Sequence, residues 1–497
     1  MAQTNLSKPS WSQRLYTAFD MFEMDDKQGC ISILQAILSE PSMPRYWRIQ
    51  ALVALATAVD DWYDATIRTK TGRLSQSFLI GTAVTMHISI LLVPILGALA
   101  QAGPIISRAS SWPNAPFTTS GRDMKNSLDE TVVYAGVNWP GAADVMIPEG
   151  LQYQSVSTIM SKIKDLGMNV IRLTYAIEMI DDIYEGVDSS LKTAFIQALG
   201  ENNGTKVLKE VLASNPTFTE KTTRLEVFDA IAAEANTQQI YVHLDNHVSK
   251  GEWCCSHTDG NAWFGDTYFN VANWKRGLAF MANHAKSWPA FTSMSLRNEL
   301  RTTANGTGDN WVSWYENMIP AADGIHKANP SPLIFFSGLN YDTQLGTIVD
   351  GEDIGNGTSF ALSDHAYADK IVWELHNYAN SATNCGDIEG SLRNQGYNAM
   401  EGDSAAVNTA PVVLSEFGFD QNSGSQSVYA QCIKKYLTTL PGGPGGWMQW
   451  VISGSYYIRE GGQDRDETWG LLNHDWSDWR NQTATDYTKS FVDETLA

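Results

Sequence analysis

Positive charge is what this 497-residue chain has too little of: 34 Lys and Arg face 55 Asp and Glu, a formal charge of −21. Residues 1–85 are balanced, so the acidic excess lies entirely beyond them. That excludes a polyanionic partner such as nucleic acid. Cysteine is scarce too, five in all. Four of them, Cys254, Cys255, Cys385 and Cys432, fall in the acidic part, an even number that permits two disulfides. If Cys254 and Cys255 are not joined to each other, each takes one of the other two, and their loop is pinned to the sites of Cys385 and Cys432. No tandem repeat is present, and long apolar runs are absent with one exception.

The exception is FLIGTAVTMHISILLVPILGALA, residues 78–100, uncharged and long enough to cross a bilayer. Lys70 and Arg73 precede it, which would orient a retained anchor with its C-terminal side outside. The same letters read as a secretory signal starting at Met86, an apolar core followed by a small-x-small cleavage site at Ala98–Ala100 or Ala100–Ala102. Both readings export the chain beyond residue 103, so the expected location is secreted, or else membrane-anchored with the catalytic part outside. Sequons at Asn203, Asn305, Asn356 and Asn481 agree with export. Residues 1–77 read as a helical segment of uncertain membership in the mature protein, 78–102 as signal peptide or anchor, and 103–497 as the catalytic domain. Within 11–74, ISILQAIL (31–38) is one apolar helical cluster, ended by Pro41 and Pro44.

From residue 131 onward, apolar runs alternate with helical periods. The runs are 131–139, 169–175, 239–245, 291–299, 332–339, 370–378, 411–419 and 446–453. Between them, Val156, Ile159, Met160, Ile163 and Leu166 keep helical spacing up to Gly167, and Thr223 with Glu226 forms a candidate capping box. Trp274, Leu278, Met281 and Ala285 mark another apolar helix face, and SVYAQCIKKYLTTLPGG ends at Pro441-Gly442 as a helix should. Eight continuous apolar strands, each followed by a helix, predict a closed parallel (β/α)8 TIM barrel. The active site of such a barrel lies at the C-terminal strand ends. Those ends carry Arg172, Asp245-Asn246-His247, Asn298-Glu299, His376-Asn377-Tyr378, Glu416 and Trp450.

Two carboxylates facing each other across a barrel mouth suit glycosidic bond cleavage, one as proton donor and one on the opposite face of the sugar. In their order, Arg172, His247, Asn298-Glu299, His376-x-Tyr378, Glu416 and Trp450 resemble glycoside hydrolase family 5, over about residues 131–473. The resemblance implies that Glu299 is the acid/base and Glu416 the nucleophile of a retaining β-glycosidase. It implies too that Asn298 holds the sugar 2-hydroxyl, Arg172 and Tyr378 touch the nucleophile, His247 and His376 line the cleaved-bond subsite, and Trp450 is a sugar platform. No metal or organic cofactor is implied. The acid of a retaining pair is expected to have a raised pKa. Asn-Glu is often followed by Pro in this family; here Leu300 and Arg301 follow, which directs the search for an unusual substrate to those two positions.

The expected substrate is a β-linked poly- or oligosaccharide, cleaved as by an endo-β-glucanase or a mannanase. No obligatory protein partner is expected, and a membrane is expected only if residues 78–100 stay uncleaved. A transglycosylase or a glycolipid glycosidase on the same fold is the nearest alternative, and a non-catalytic carbohydrate-binding or sensing protein is the alternative of another class. A zinc pair from His243 and His247 is disfavoured, because four residues along a strand separate them by about 13 Å. His243 reads instead as a hydrogen-bonded barrel-core residue. Trp253 and Trp263 are candidates for walling the cleft. Glu374 shares a strand face with His376 and needs a partner. Arg459, Asp464, Asp466 and Glu467 either line distal sugar subsites or close a salt-bridged loop.

Overall fold

A computed structural model describes residues 27–38 and 112–497, except 403–404. The chain divides into two units, residues 1–105 and 106–497. In the first, Lys27–Leu38 is an α-helix with Cys30, Leu34 and Ile37 buried, which covers the apolar cluster predicted at 31–38. The apolar run at 78–100 lies outside the described residues. Among those described, no helix is long and apolar enough to cross a membrane.

The second unit is a closed barrel of eight parallel strands. These are β1 (Ala135–Trp139), β2 (Val170–Ala176), β3 (Tyr241–Val248), β4 (Phe291–Ser295), β5 (Leu333–Ser337), β6 (Ile371–Asn377), β7 (Val412–Phe417) and β8 (Gly446–Gln449). Each corresponds to one predicted run. β8 closes the ring by pairing with β7 through Leu414 and Trp447 and with β1 through Met448 and Gly136. The runs are continuous because helices cover their outer face while the barrel interior covers the other, so both parities are buried.

The helices form where their punctuation predicts. Ser155 caps Val156–Asp165, whose Val156, Ile159, Met160 and Ile163 are buried; Gly167, at φ +81, ends it. The Thr223–Glu226 capping box is complete, with Thr223 Oγ1 accepting from the Glu226 N–H at 3.3 Å and Glu226 Oε2 from the Thr223 N–H at 2.9 Å. Val271–His284 buries Trp274, Leu278 and Met281. Val428–Thr438 is tied through Cys432 to Cys385, the first residue of helix Cys385–Gln395.

The N-terminal end of the barrel is stoppered. A small antiparallel sheet (Thr118–Ser120, Asp123–Lys125, Thr131–Val132) packs Phe117, Met124 and Val132 with Tyr134, Val170, Leu333, Phe335, Val372, Val413 and Met448. One level up, His243 is fully buried, with Nδ1 at 2.8 Å from Ser293 Oγ and Nε2 at 2.7 Å from Ser295 Oγ. Burial lowers its pKa to about 4. It is therefore the neutral, fully partnered core histidine that its strand position predicts. Of the four sequon asparagines, Asn203, Asn305 and Asn356 are exposed, whereas Asn481 caps the C-terminal helix through its side-chain oxygen.

Candidate active site

Arg172 reaches from β2 to the centre of the barrel and is fully buried there. Its Nη1 donates to Glu416 Oε1 at 2.6 Å and to Asn138 Oδ1 at 2.9 Å; its Nη2 donates to Asn298 Oδ1 at 2.9 Å and pairs with Asp245 at 2.9 Å and Glu374 at 3.3 Å. A fork of fixed geometry is what lets one cation serve so many oxygens. Glu374 thus has the partner it needs, together with Ser415 Oγ, which donates at 2.6 Å. Burial works against its charge, but Arg172 and then His376 and His243 hold its pKa far below the ordinary value.

Glu416, at the end of β7, also accepts from the Tyr378 hydroxyl at 2.9 Å. His376 stands between the two predicted catalytic acids, its Nδ1 3.1 Å from Glu299 Oε1 and 3.7 Å from Glu416 Oε2. Glu299, His376 and Glu416 each offer an atom within 4.8 Å of the others. Burial disfavours charge on Glu299, but its hydrogen bond to His376, with Arg301 and His247 beyond, outweighs burial and lowers the pKa. Burial likewise opposes charge on His376, yet Glu416 and the bonds to Glu299 and Glu374 push that pKa well up. The site therefore lowers the Glu299 pKa where a raised one is expected. Glu299 and His376 hold one proton between them, mainly on the imidazole.

Trp450 stands beside His247 at the same end of the barrel. The His247 ring lies parallel to Trp450, with centroids 5.6 Å apart, and His247 Nδ1 is held at 2.7 Å from Asp245. Every residue predicted for the site, Arg172, His247, Asn298, Glu299, His376, Tyr378, Glu416 and Trp450, belongs to this one connected cluster.

Other expectations are corrected. Cys254 and Cys255 are joined to each other, and Cys385 to Cys432, so the loop after β3 is not pinned to those helices. Trp263 is buried against Phe264 and belongs to the core; only Trp253 reaches the site, edge-on to Trp450 at 6.4 Å. The polar residues after β8 form an antiparallel hairpin, β9 (Ser455–Arg459) and β10 (Gly462–Asp466). Arg459 bonds Glu467 at 2.5 Å and stacks on Trp253, Asp464 takes Tyr153 and His474, and Asp466 takes Arg480. The salt-bridged reading of this loop therefore has its partners, within the loop and on Tyr153 and Trp253.

Leu300 and Arg301 are buried, at 0% and 1% exposure. Arg301 donates to Glu299 O at 2.7 Å and to Ser256 O at 2.9 Å and pairs with Asp259. Glu299 itself lies at φ +45, a left-handed conformation that costs a residue with a Cβ about 1–3 kcal/mol. Its N–H is caught by Asp342 Oδ2 at 2.8 Å, and the Asp342 carbonyl accepts from the His376 N–H at 2.9 Å. Asp342 thus fixes both members of the proton-sharing pair, a role no local signal in the sequence announces. Trp469, 5.7 Å from Tyr378, was equally hidden. The adjacency of Cys254 and Cys255 was the one visible cue to their pairing.

Two groupings of described residues bring three potential metal ligands together. In one, the sulfurs of Cys254 and Cys255 are spent on their mutual bond beside Glu299. In the other, Glu299 and Glu416 flank His376, and Arg172 already pairs with Glu416.

Comparison with known proteins agrees with this geometry. The family model for cellulase (glycosyl hydrolase family 5) matches residues 131–454, so the chain belongs to glycosyl hydrolase family 5. A glycosyl hydrolase 5 family protein of Chamaecyparis obtusa is 34% identical over 74% of this chain, a match that spans 64% of the relative's length. The major extracellular endoglucanase of Xanthomonas campestris is 22% identical over 74% of this chain and 69% of its own. Among solved structures, a hyperthermophilic endocellulase of Pyrococcus horikoshii shares the fold with a TM-score of 0.56 at 18% identity, covering 76% of this chain and 99% of that one.

Proposed function

We propose that this glycosyl hydrolase family 5 member cleaves β-glycosidic bonds of a polysaccharide with retention of configuration, acting as an endo-β-glucanase. The observation that carries the reading is the placement of carboxylate oxygens of Glu299 and Glu416 within 4.8 Å of each other. A retaining pair stands about 5–5.5 Å apart, whereas an inverting pair leaves about 6.5–9.5 Å for a water. The extracellular endoglucanase among the relatives favours glucan over mannan and supports export of residues 103–497 as the catalytic domain.

In the first step a Glu416 oxygen bonds to the anomeric carbon as the carbon–oxygen bond to the leaving sugar breaks. The leaving oxygen takes its proton from Glu299, which is resupplied by His376 across their 3.1 Å contact. The timing follows from electrostatics. Glu416 is the foremost charge holding the proton on His376, and esterification removes that charge, releasing the proton at the moment it is needed. In the second step water bonds to the anomeric carbon and the ester bond breaks. The Glu299–His376 pair takes back the water proton, and Arg172 and Tyr378 receive the restored carboxylate. Asn298 offers its amide to the 2-hydroxyl, and Trp450 presents a flat apolar face to the ring.

Proton NMR of the first sugar released from a β-glucan oligosaccharide tests this. The β-anomer is expected first, and initial α-anomer would overturn the retaining mechanism. Transglycosylation shares the intermediate and would show itself as products heavier than the supplied oligosaccharide.

A further inference from the structure

The Cys254–Cys255 disulfide does not brace the fold, since it joins neighbours and closes no loop. Its surroundings are those of a binding surface. Asn298 Nδ2 points at both sulfurs, 3.7 and 3.6 Å away, and the sulfurs lie within 4.8 Å of the Glu299 carboxylate. Both cysteines are half-buried, beside Asn298 and Glu299.

The strap that carries it is fixed on either side. Before it, Trp253 is clamped between the Arg459 guanidinium, 3.9 Å over its ring, and the edge of Tyr456 at 4.9 Å. After it, Arg301 holds Ser256 O and Asp259, and His257 Nδ1 donates to Thr302 O at 2.6 Å. The Tyr341 hydroxyl meets His257 Nε2 at 3.1 Å, with the rings edge to face. The strap therefore starts at the Trp450 platform, passes Asn298 and Glu299 at the cleaved bond, and continues to an aromatic pair on the far side.

We propose that the Cys254–Cys255 disulfide, continued by His257 and Tyr341, is the wall of the subsite that receives the sugar on the leaving-group side. Disulfide sulfur is polarisable and weakly hydrated, suited to the apolar face of a pyranose. The inference rests on the assignment of Glu299 as proton donor.

The test compares cellotetraose with an aryl β-cellobioside, which places no sugar in that subsite. In Cys254→Ser/Cys255→Ser, kcat/KM for cellotetraose is expected to fall about tenfold, mainly through KM, with the aryl substrate changed less than about twofold. His257→Ala, at the surface, should show the same split more weakly and serves should the double variant not fold. Cys385→Ser/Cys432→Ser should lower the melting temperature and leave the substrate ratio unchanged. Equal losses on both substrates, or no loss on cellotetraose, would overturn the assignment. A wild-type enzyme that cleaves neither substrate would instead overturn the β-glucanase reading beneath it.

Discussion

The two ends of the barrel are built from opposite materials. At the N-terminal end, Phe335, Val372, Val413 and Met448 meet Phe117 and Met124 in an apolar stopper. At the C-terminal end, Arg172, Asp245, Glu374 and Glu416 crowd a buried volume with charge. The stopper secures its stability by excluding water. The mouth has to satisfy each charge with a partner, since an unpaired one would cost several kcal/mol. Stability and chemistry are thus separated along the barrel axis, with His243 on the border.

The largest test of that separation is Glu416→Ala. We expect kcat to fall on the order of 10⁴-fold or more. The melting temperature should move by only a few degrees, because Arg172 keeps Asp245 and Glu374. Unfolding of this variant would show that the mouth also carries the fold. Glu299→Ala should lose about 10²–10⁴-fold on a β-glucan. On an aryl glycoside with a good leaving group the loss should be much smaller, and equal losses would argue against the proton-donor role.

At the opposite end, Phe335→Ala should cost about 3–5 kcal/mol in denaturant unfolding while kcat/KM below the melting temperature stays unchanged. A tenfold fall in turnover would break the separation. The border is probed by pH. The folded barrel refuses a proton on His243 until about pH 4, whereas the unfolded chain accepts one near pH 6.5. Stability attributable to His243 is therefore full above about pH 6.5 and lost as pH falls towards 4, by up to about 3 kcal/mol. Unfolding curves of wild type and His243→Asn across that range should converge in acid, and parallel curves would refute the account.

Much of the architecture was legible because parallel barrel strands are buried on both faces and read as unbroken apolar runs. The eight predicted runs enclose or overlap the eight strands, differing mainly at their ends. Site residues were legible for a related reason: a polar group ending an apolar strand, such as Glu416 after Val412–Leu414, has only the mouth to go to. The features that stayed hidden depend on neighbours remote in sequence. Nothing in Asn340-Tyr341-Asp342 signals three successive left-handed residues or a carboxylate aimed at the Glu299 N–H. Leu300 and Arg301 looked like specificity determinants because they come directly after Glu299, yet both are buried and Arg301 is spent on Glu299 O, Ser256 O and Asp259. The hairpin after β8 offered its charges as sugar ligands, while their partners, Trp253, Tyr153 and Arg480, lie in other segments or beyond the turn.

The unusual backbone at Glu299 has a consequence for how such enzymes can be altered. The residue's own preferences do not favour its conformation; Asp342 from one loop and Arg301, itself moored to the 256–259 loop, impose it. The position of Glu299, the proposed proton donor, is thus set jointly by separate loops. Loop exchange, the ordinary route to a new substrate range on this scaffold, would here transplant the catalytic geometry along with the specificity, and only grafts that carry both moorings together should remain active.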